Sequence, residues 1–335
     1  MPISFARGAP SLDIVDVDGL KEAAARAFTN DPGGATAYGT SIGYVPLRAW
    51  IADKHGLAPE EVIPTNGSMQ ADAFLFELIV ESGDLVVVEA PTYDRTLLSL
   101  RNRGAEILAV PLADDGIDVG ALASALEAGA RPKLAHVIPT FHNPAGCTLS
   151  LEKRRQLLEL AASYDFLIFE DDPYIELRFE GERLPTMLSL DENERVVYAS
   201  SFSKTVCPGI RVGYLAGPEP VVARVRTLAT NTYISPSMVA QAIVHEFCVS
   251  GALQRSIETV KGALAERVEK LAAALLATAE EHGVTFVKGT DFMLEGGESS
   301  LRLAYSGVTA DQIDEGVRRL AEAYRAVSGA PAVAG

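Results

Sequence analysis

From about residue 60 to residue 218, short apolar runs alternate with stretches whose apolar residues recur every three to four positions. The runs within 83–93 (GDLVVVEAPTY), 105–112, 133–141, 166–174 and 195–202 have the length and composition of buried strands, and 212–218 is a further candidate. Between them the spacing predicts helices at TLLSLRNRG, at 119–129 and at 150–165. The second of these ends on a glycine stop, and the third opens on Ser150, a capping residue. Gly67 and Ser68 stand at the start of another helix, within 65–80. After 218 the texture changes to long helical patterns, PEPVVARVRTLATN and 236–281, with Gly251 and Gly262 as candidate breaks. One short strand, 299–306, and one helix, 309–327, precede a terminus expected to fray.

Strands alternating with helices of this length predict an α/β fold with a mostly parallel sheet covered on both faces. The change after 218 predicts three parts: an N-terminal arm over 1–30, a large domain over 31–230, and an interdomain helix with a smaller α+β domain over 231–335.

Composition narrows the function classes. The 45 acidic residues outnumber the 29 basic ones, for a net charge of −16, which argues against nucleic acid or an anionic membrane as the main partner. No uncharged apolar stretch approaches the ~20 residues of a membrane span. The start, MPISFARGAP, lacks the basic-then-apolar order of a secretory signal. Three cysteines, Cys147, Cys207 and Cys248, have neither metal-ligand spacing nor an even count, so a reducing cytoplasmic setting is expected and structural zinc is not. Cys147 and Cys207 lie near the candidate site in sequence, but small buried thiols are the commoner case.

In parallel sheets ligands collect beyond the C-terminal ends of the strands. There the chain places Tyr93 (APTY), Asn143 (HNPAG), Asp171 and Tyr174 (DDPY), and Ser201 and Lys204 (SSFSK). An amine taken out of water needs a partner or a chemical use, and Lys204 can form a Schiff base with an aldehyde. Asp171 suits a pyridinium nitrogen, Asn143 and Tyr174 a ring hydroxyl, and Tyr93 the ring face. The helix start after Gly67 offers free N–H groups to a phosphate, and Ser201 and Arg211 add a hydroxyl and a bidentate cation. Together these groups describe a site for pyridoxal 5'-phosphate. Taken singly, each has a plainer use: Lys204 on the surface, Asp171 and Asp172 as caps, Tyr93 and Tyr174 as core aromatics with one wet end.

Taken in order, ISFARGAP (3–10), YGTSIGYVPLR (38–48), TNGSMQ, EAPTY, HNPAG, EDDPY, SFSKTVCPGIRVGY and SLRLAYS are similar to the fold-type I aminotransferases of class I/II. Within that group the chain most resembles the branch with 2-aminoadipate and kynurenine aminotransferases and the effector domains of MocR-type regulators. The resemblance implies a mostly parallel seven-stranded sheet and transfer of an amino group between an L-amino acid and a 2-oxo acid by ping-pong half-reactions. It implies Lys204 as cofactor-bound lysine and proton shuttle. Ser68, the Met69 backbone amide, Ser201 and Arg211 would hold the phosphate. Tyr38 would reach the phosphate of a neighbouring subunit, hence a homodimer with shared sites. Arg302 would clamp the substrate carboxylate, where a structural salt bridge is the plainer reading, and Arg7 would contact substrate from the N-terminal arm or simply sit on the surface. The resemblance also implies that about thirty residues of the smaller domain, enough for two or three strands, are missing near residue 282. Two other outcomes share these motifs: a β-lyase or decarboxylase on the same cofactor, and a non-catalytic ligand-sensing domain.

Overall fold

The structure is a computed structural model that describes residues 8–278, 287–288, 292, 301–302 and 304–328. Its strands are Val62–Thr65 (β1), Leu85–Ala90 (β2), Glu106–Ala113 (β3), Gly116–Ile117 (β4), Leu134–Val137 (β5), Leu167–Asp171 (β6), Val196–Ser201 (β7), Gly213–Ala216 (β8), Val287–Lys288 (β9) and Leu301–Arg302 (β10). The helices run Val17–Asn30 (α1), Pro32–Thr36 (α2), Val45–His55 (α3), Ser68–Ile79 (α4), Asp94–Asn102 (α5) and Val119–Glu127 (α6). Leu151–Tyr164 (α7), Met187–Leu190 (α8), Glu219–Tyr233 (α9), Met238–Val249 (α10), Ala252–Thr278 (α11) and Ala310–Ser328 (α12) follow.

Local chemistry starts many of these helices. Asp16, Asp31, Asp118, Ser150, Thr186 and Ser237 each accept a hydrogen bond from the N–H three residues on, satisfying a donor that the first turn leaves over. Gly251 separates α10 from α11, as expected, but Gly262 lies inside α11 rather than breaking it.

The main sheet has the order β1-β8-β7-β6-β5-β2-β3-β4. Strands β7, β6, β5, β2 and β3 are mutually parallel, while β8 runs antiparallel to both β7 and β1. The expected seven strands are joined by β4, a two-residue return that pairs Ile117 with Leu112. Both faces are covered, which is why the strand sequences read as continuous apolar runs. Val86, Val88, Phe169 and Val197 pack with Leu75 and Phe76 of α4 and Val225 of α9. Val87, Ile168 and Val196, one residue out of phase, pack with Leu122 of α6 and Leu157 of α7 on the other side.

This order has one functional consequence. From β2 the chain moves outward to β3, then returns to pair β5 on the other side of β2. Crevices open at such reversals. Because β1 is antiparallel to β8, it points the same way as the parallel set, so β1, β2, β5, β6 and β7 all end at one edge. Beyond the sheet, α11 and α12 pack together and β9 pairs with β10, Arg302 opposite Val287. Among the described residues, no helix is long and apolar enough to cross a membrane.

Candidate active site

A cavity of about 540 Å³ opens at that edge. Ser68, Met69, Tyr93, Asn143, Asp171, Tyr174, Ser201, Lys204 and Arg211 all line it, so nine of the sequence-predicted residues converge on one space. Tyr38 is not on its wall and is 94% exposed. Arg7 lies outside the described residues. Arg302 is placed in β10 by its backbone, and its side chain lies outside them.

At one end, α4 begins at Ser68 with no side chain capping it. Gly67 holds φ 88° and ψ 162°, a conformation that only glycine adopts at low cost. A Cβ there would stand 2.2 Å from Nη2 of Arg211. Arg211 donates from Nη1 to Ser203 Oγ at 3.2 Å and from Nη2 to the Asn66 carbonyl at 3.4 Å. Ser201 Oγ donates to Ser203 Oγ at 2.9 Å and accepts from the Ser203 N–H at 3.1 Å. A helix start, a guanidinium and two hydroxyls therefore face one point, the arrangement that binds a phosphate dianion.

At the other end, Asp171 closes β6 and is buried. Its Oδ2 lies 3.7 Å from Nε2 of His136, while Oδ1 is buried without a hydrogen-bond partner. An orphaned buried carboxylate oxygen is costly unless a ligand supplies the missing donor. Tyr93 precedes α5 on the wall, its hydroxyl pushed up by burial and by Asp94, Asp171 and Asp72. Lys204 stands between the two ends. Its ammonium donates to the Gly8 carbonyl and lies 5.6 Å from the Tyr174 ring centroid.

The loop bearing Asn143 is held from below. Glu89 and His142, both buried, approach to 3.0 Å, and Glu89 also accepts from the Ile138 N–H at 2.8 Å. Arg154 is fully buried and donates to the carbonyls of Pro139, Leu149 and Pro185 at 3.0–3.1 Å, 3.5 Å from Glu170. Ser203, Asp72, His136 and the Glu89–His142 pair were not singled out in the sequence. Ser203 sits within the SFSK motif and was legible by position, whereas the others declare themselves only through burial. Cys147 and Cys207, expected to be buried, are half-buried.

A second cavity, about 280 Å³, adjoins the first and shares Gly8, Asn143, Tyr174 and Lys204 with it. Its remaining wall includes Ile14, Phe141, Leu177, Phe179, Val260 and Leu264.

The set fits a phosphorylated pyridine aldehyde: an uncapped helix start for the phosphate, an amine for the aldehyde, and an orphaned acid for the ring nitrogen. Known proteins agree. The family model described as aminotransferase class I and II matches residues 2–278. The 2-aminoadipate transaminase of Thermus thermophilus is 32% identical over 360 aligned positions, covering 96% of this chain and 90% of that protein. Aromatic-amino-acid aminotransferase 1 of Thermococcus litoralis is 29% identical over 366 positions, covering 96% and 88%. Both alignments exceed the 335 residues of this chain, so each relative carries residues with no counterpart here. The crystal structure of the Thermus thermophilus alpha-aminoadipate aminotransferase with N-(5'-phosphopyridoxyl)-L-leucine superposes with a TM-score of 0.91 at 30% identity, covering 98% of this chain and 93% of that one. Cavity, sheet order and sequence point the same way, and the chain belongs to the class I and II aminotransferases, enzymes that transfer amino groups with pyridoxal 5'-phosphate.

Proposed function

We propose that this aminotransferase takes its amino group from L-amino acids with apolar side chains and passes it to a 2-oxo acid by ping-pong half-reactions. Pyridoxal 5'-phosphate, when bound, supplies the electron sink that lets the donor's α-C–H bond break. Lys204 would hold the cofactor through its amine and, when free, would accept and return the donor's α-proton. Asp171 keeps a proton on the ring nitrogen by facing it with negative charge. Asn143 and Tyr174 would hydrogen-bond the ring hydroxyl, and Tyr93 would pack on the ring. Ser68, the Met69 N–H, Ser201 and Arg211 hold the phosphate. Arg302 takes the donor's carboxylate and Arg7 approaches it from the arm. The observation that carries this reading is the convergence of Lys204 and the orphaned Asp171 oxygen on the cavity headed by the α4 start.

The donor class follows from the second cavity. A distal carboxylate would need a cation there, and Lys204 is the one lysine or arginine on its described wall. Aliphatic and aromatic walls favour apolar side chains by burial alone. The relatives act on 2-aminoadipate and on aromatic amino acids by name, a range that includes this class.

We further propose a homodimer. Tyr38, Val45, Ile234 and Val239 are exposed apolar residues on segments adjoining the cavity mouth, where Ser41 bonds Thr230 and the Ser237 N–H bonds Asn66. A partner covering this surface would receive Tyr38 at its own phosphate end. The three-part division into 1–30, 31–230 and 231–335, the shortening near 282 and a cytoplasmic setting belong to the same reading.

Two experiments test it. Borohydride reduction of the holoenzyme, digestion and mass spectrometry should leave the cofactor's mass on the peptide containing Lys204, and Lys204→Ala should carry none. In a donor panel, leucine and phenylalanine should exceed aspartate and glutamate at least about tenfold in kcat/KM, the ~1.4 kcal/mol that a few buried methylenes supply. The opposite order would overturn the apolar class.

A further inference from the structure

The proposed mechanism uses one carboxyl in the cavity, yet the wall holds a second well-buried one. Asp72 lies one helical turn below Ser68 on α4, so the two share a face, and both line the cavity. The next residue on that stripe, Phe76, packs edge-on against His136 and Phe169 at 6.2 and 5.8 Å. The stripe thus runs from the phosphate end down to the floor where His136 meets Asp171.

Asp72 is 7% exposed, and its Oδ1 is buried with no hydrogen-bond partner. Burial first, and then the Asp171 carboxylate, raise its pKa well above the ordinary range. The charged and titratable groups around it are Asp171 of β6, His136 of β5, and Tyr93, Asp94 and Arg95 at the start of α5. Lys204 and Arg211 line the cavity from the β7–β8 connection, and from α9 Tyr233 packs on Phe74. Two buried carboxylates that repel one another cannot both ionise cheaply. A cation beside Asp171 removes that obstacle.

We propose that Asp72 is a second carboxyl of the ring-nitrogen end, neutral in the cofactor-free chain and ionised once a protonated pyridine nitrogen stands against Asp171, so that cofactor binding expels a proton from the protein. The O–H bond of Asp72 breaks heterolytically. Relative to a chain without this carboxyl, one proton more passes to the buffer and one more negative charge faces the ring. The inference rests on the proposed placement of the ring nitrogen against Asp171.

Pyridoxamine 5'-phosphate is the probe, because it occupies the site without reacting with Lys204. Calorimetric titration of the full-length, cofactor-free protein in buffers of different ionisation enthalpy counts the protons released. Wild type should release up to about one proton more than Asp72→Asn, and the variant-to-wild-type Kd ratio should then rise, at most about tenfold per unit, as pH climbs from the ordinary carboxylate range toward the raised pKa of Asp72 in the cofactor-free chain. Below that window the ratio should return to about one, because a protonated Asp72 and an asparagine are then alike. Asp72→Leu, close in size and unable to carry charge, should match the asparagine variant and replaces it if that chain misfolds. Equal proton release with a flat ratio would overturn the role of Asp72 alone. A pyridoxamine phosphate affinity indifferent to Asp171→Asn would instead overturn the ring-nitrogen placement, and the inference with it.

Discussion

At the scale of single residues, this site is a matter of which carboxyls keep their protons. Asp172 follows Asp171 but is fully buried, with Thr140 Oγ1 donating to its Oδ2 at 3.0 Å. Burial, and then repulsion from Glu170, push it up to about 8. A folded-state pKa raised above the unfolded value gives stability that is complete below the ordinary aspartate range and drains away as pH climbs toward about 8. Asp172→Asn has no proton to lose. In thermal melts of the cofactor-free protein, its stability relative to wild type should improve from about pH 5 to pH 8, by at most about 1.4 kcal/mol per unit. A pH-independent difference would show that Asp172 is already ionised. Lys204, Asp171 and Asn143 were legible in the sequence because strand ends announce where chemistry collects, and each is a polar residue at or just past the end of an apolar run; Arg211, which precedes β8, was read as a cation for the phosphate. Asp72 and His136 were not legible, since one lies within a helix pattern and the other within a strand pattern. Only the packing of α4 on the sheet puts Asp72 on the cavity wall and His136 between Phe76 and Asp171.

At the scale of elements, the start of α4 does work that its length does not advertise. The tight turn at Gly67 lets the Arg211 guanidinium lie against the backbone where the helix begins. Gly67→Ala meets both a backbone conformation hostile to a side chain, at about 1–3 kcal/mol, and the guanidinium itself. Cofactor affinity in equilibrium dialysis should fall by about tenfold or more. Wild-type affinity in this variant would remove the phosphate end from α4. The helix over 150–165 was read from the sequence to within a residue at each end, because a cap such as Ser150 is a local signal, whereas α1, α2, α3 and α8 were not read. Nor was the strand β1, being four residues long with Pro64 inside it. It is recognisable only once β8 stands beside it, pairing Pro64 with Tyr214.

At the scale of the whole molecule, four exposed apolar side chains, Tyr38, Val45, Ile234 and Val239, stand together with exposed polar ones on the segments around α9 and α10. Ile234, 61% exposed, holds φ 67° between α9 and α10, where a β-branched residue is strained. Burial against a second copy would account for its presence. Ile234→Glu should therefore halve the mass seen by light scattering and weaken cofactor binding along with it, since Tyr38 would no longer reach a neighbour. A monomeric wild type, or a variant that remains dimeric with full affinity, would sink the shared-site arrangement. A partner surface cannot be read from one chain's strand and helix periods, which encode only what the chain buries within itself.

The cavity is also closed by residues far apart in the chain. Gly8 accepts from Lys204, Ser11 donates to the Ser306 carbonyl, and the Thr92 N–H reaches the carbonyl of Phe292, which itself lines the wall. On the ribosome, the phosphate cradle and Lys204 emerge well before Phe292 and Ser306. A nascent chain would therefore offer the vitamin an unfinished vessel until Phe292 and Ser306 have emerged.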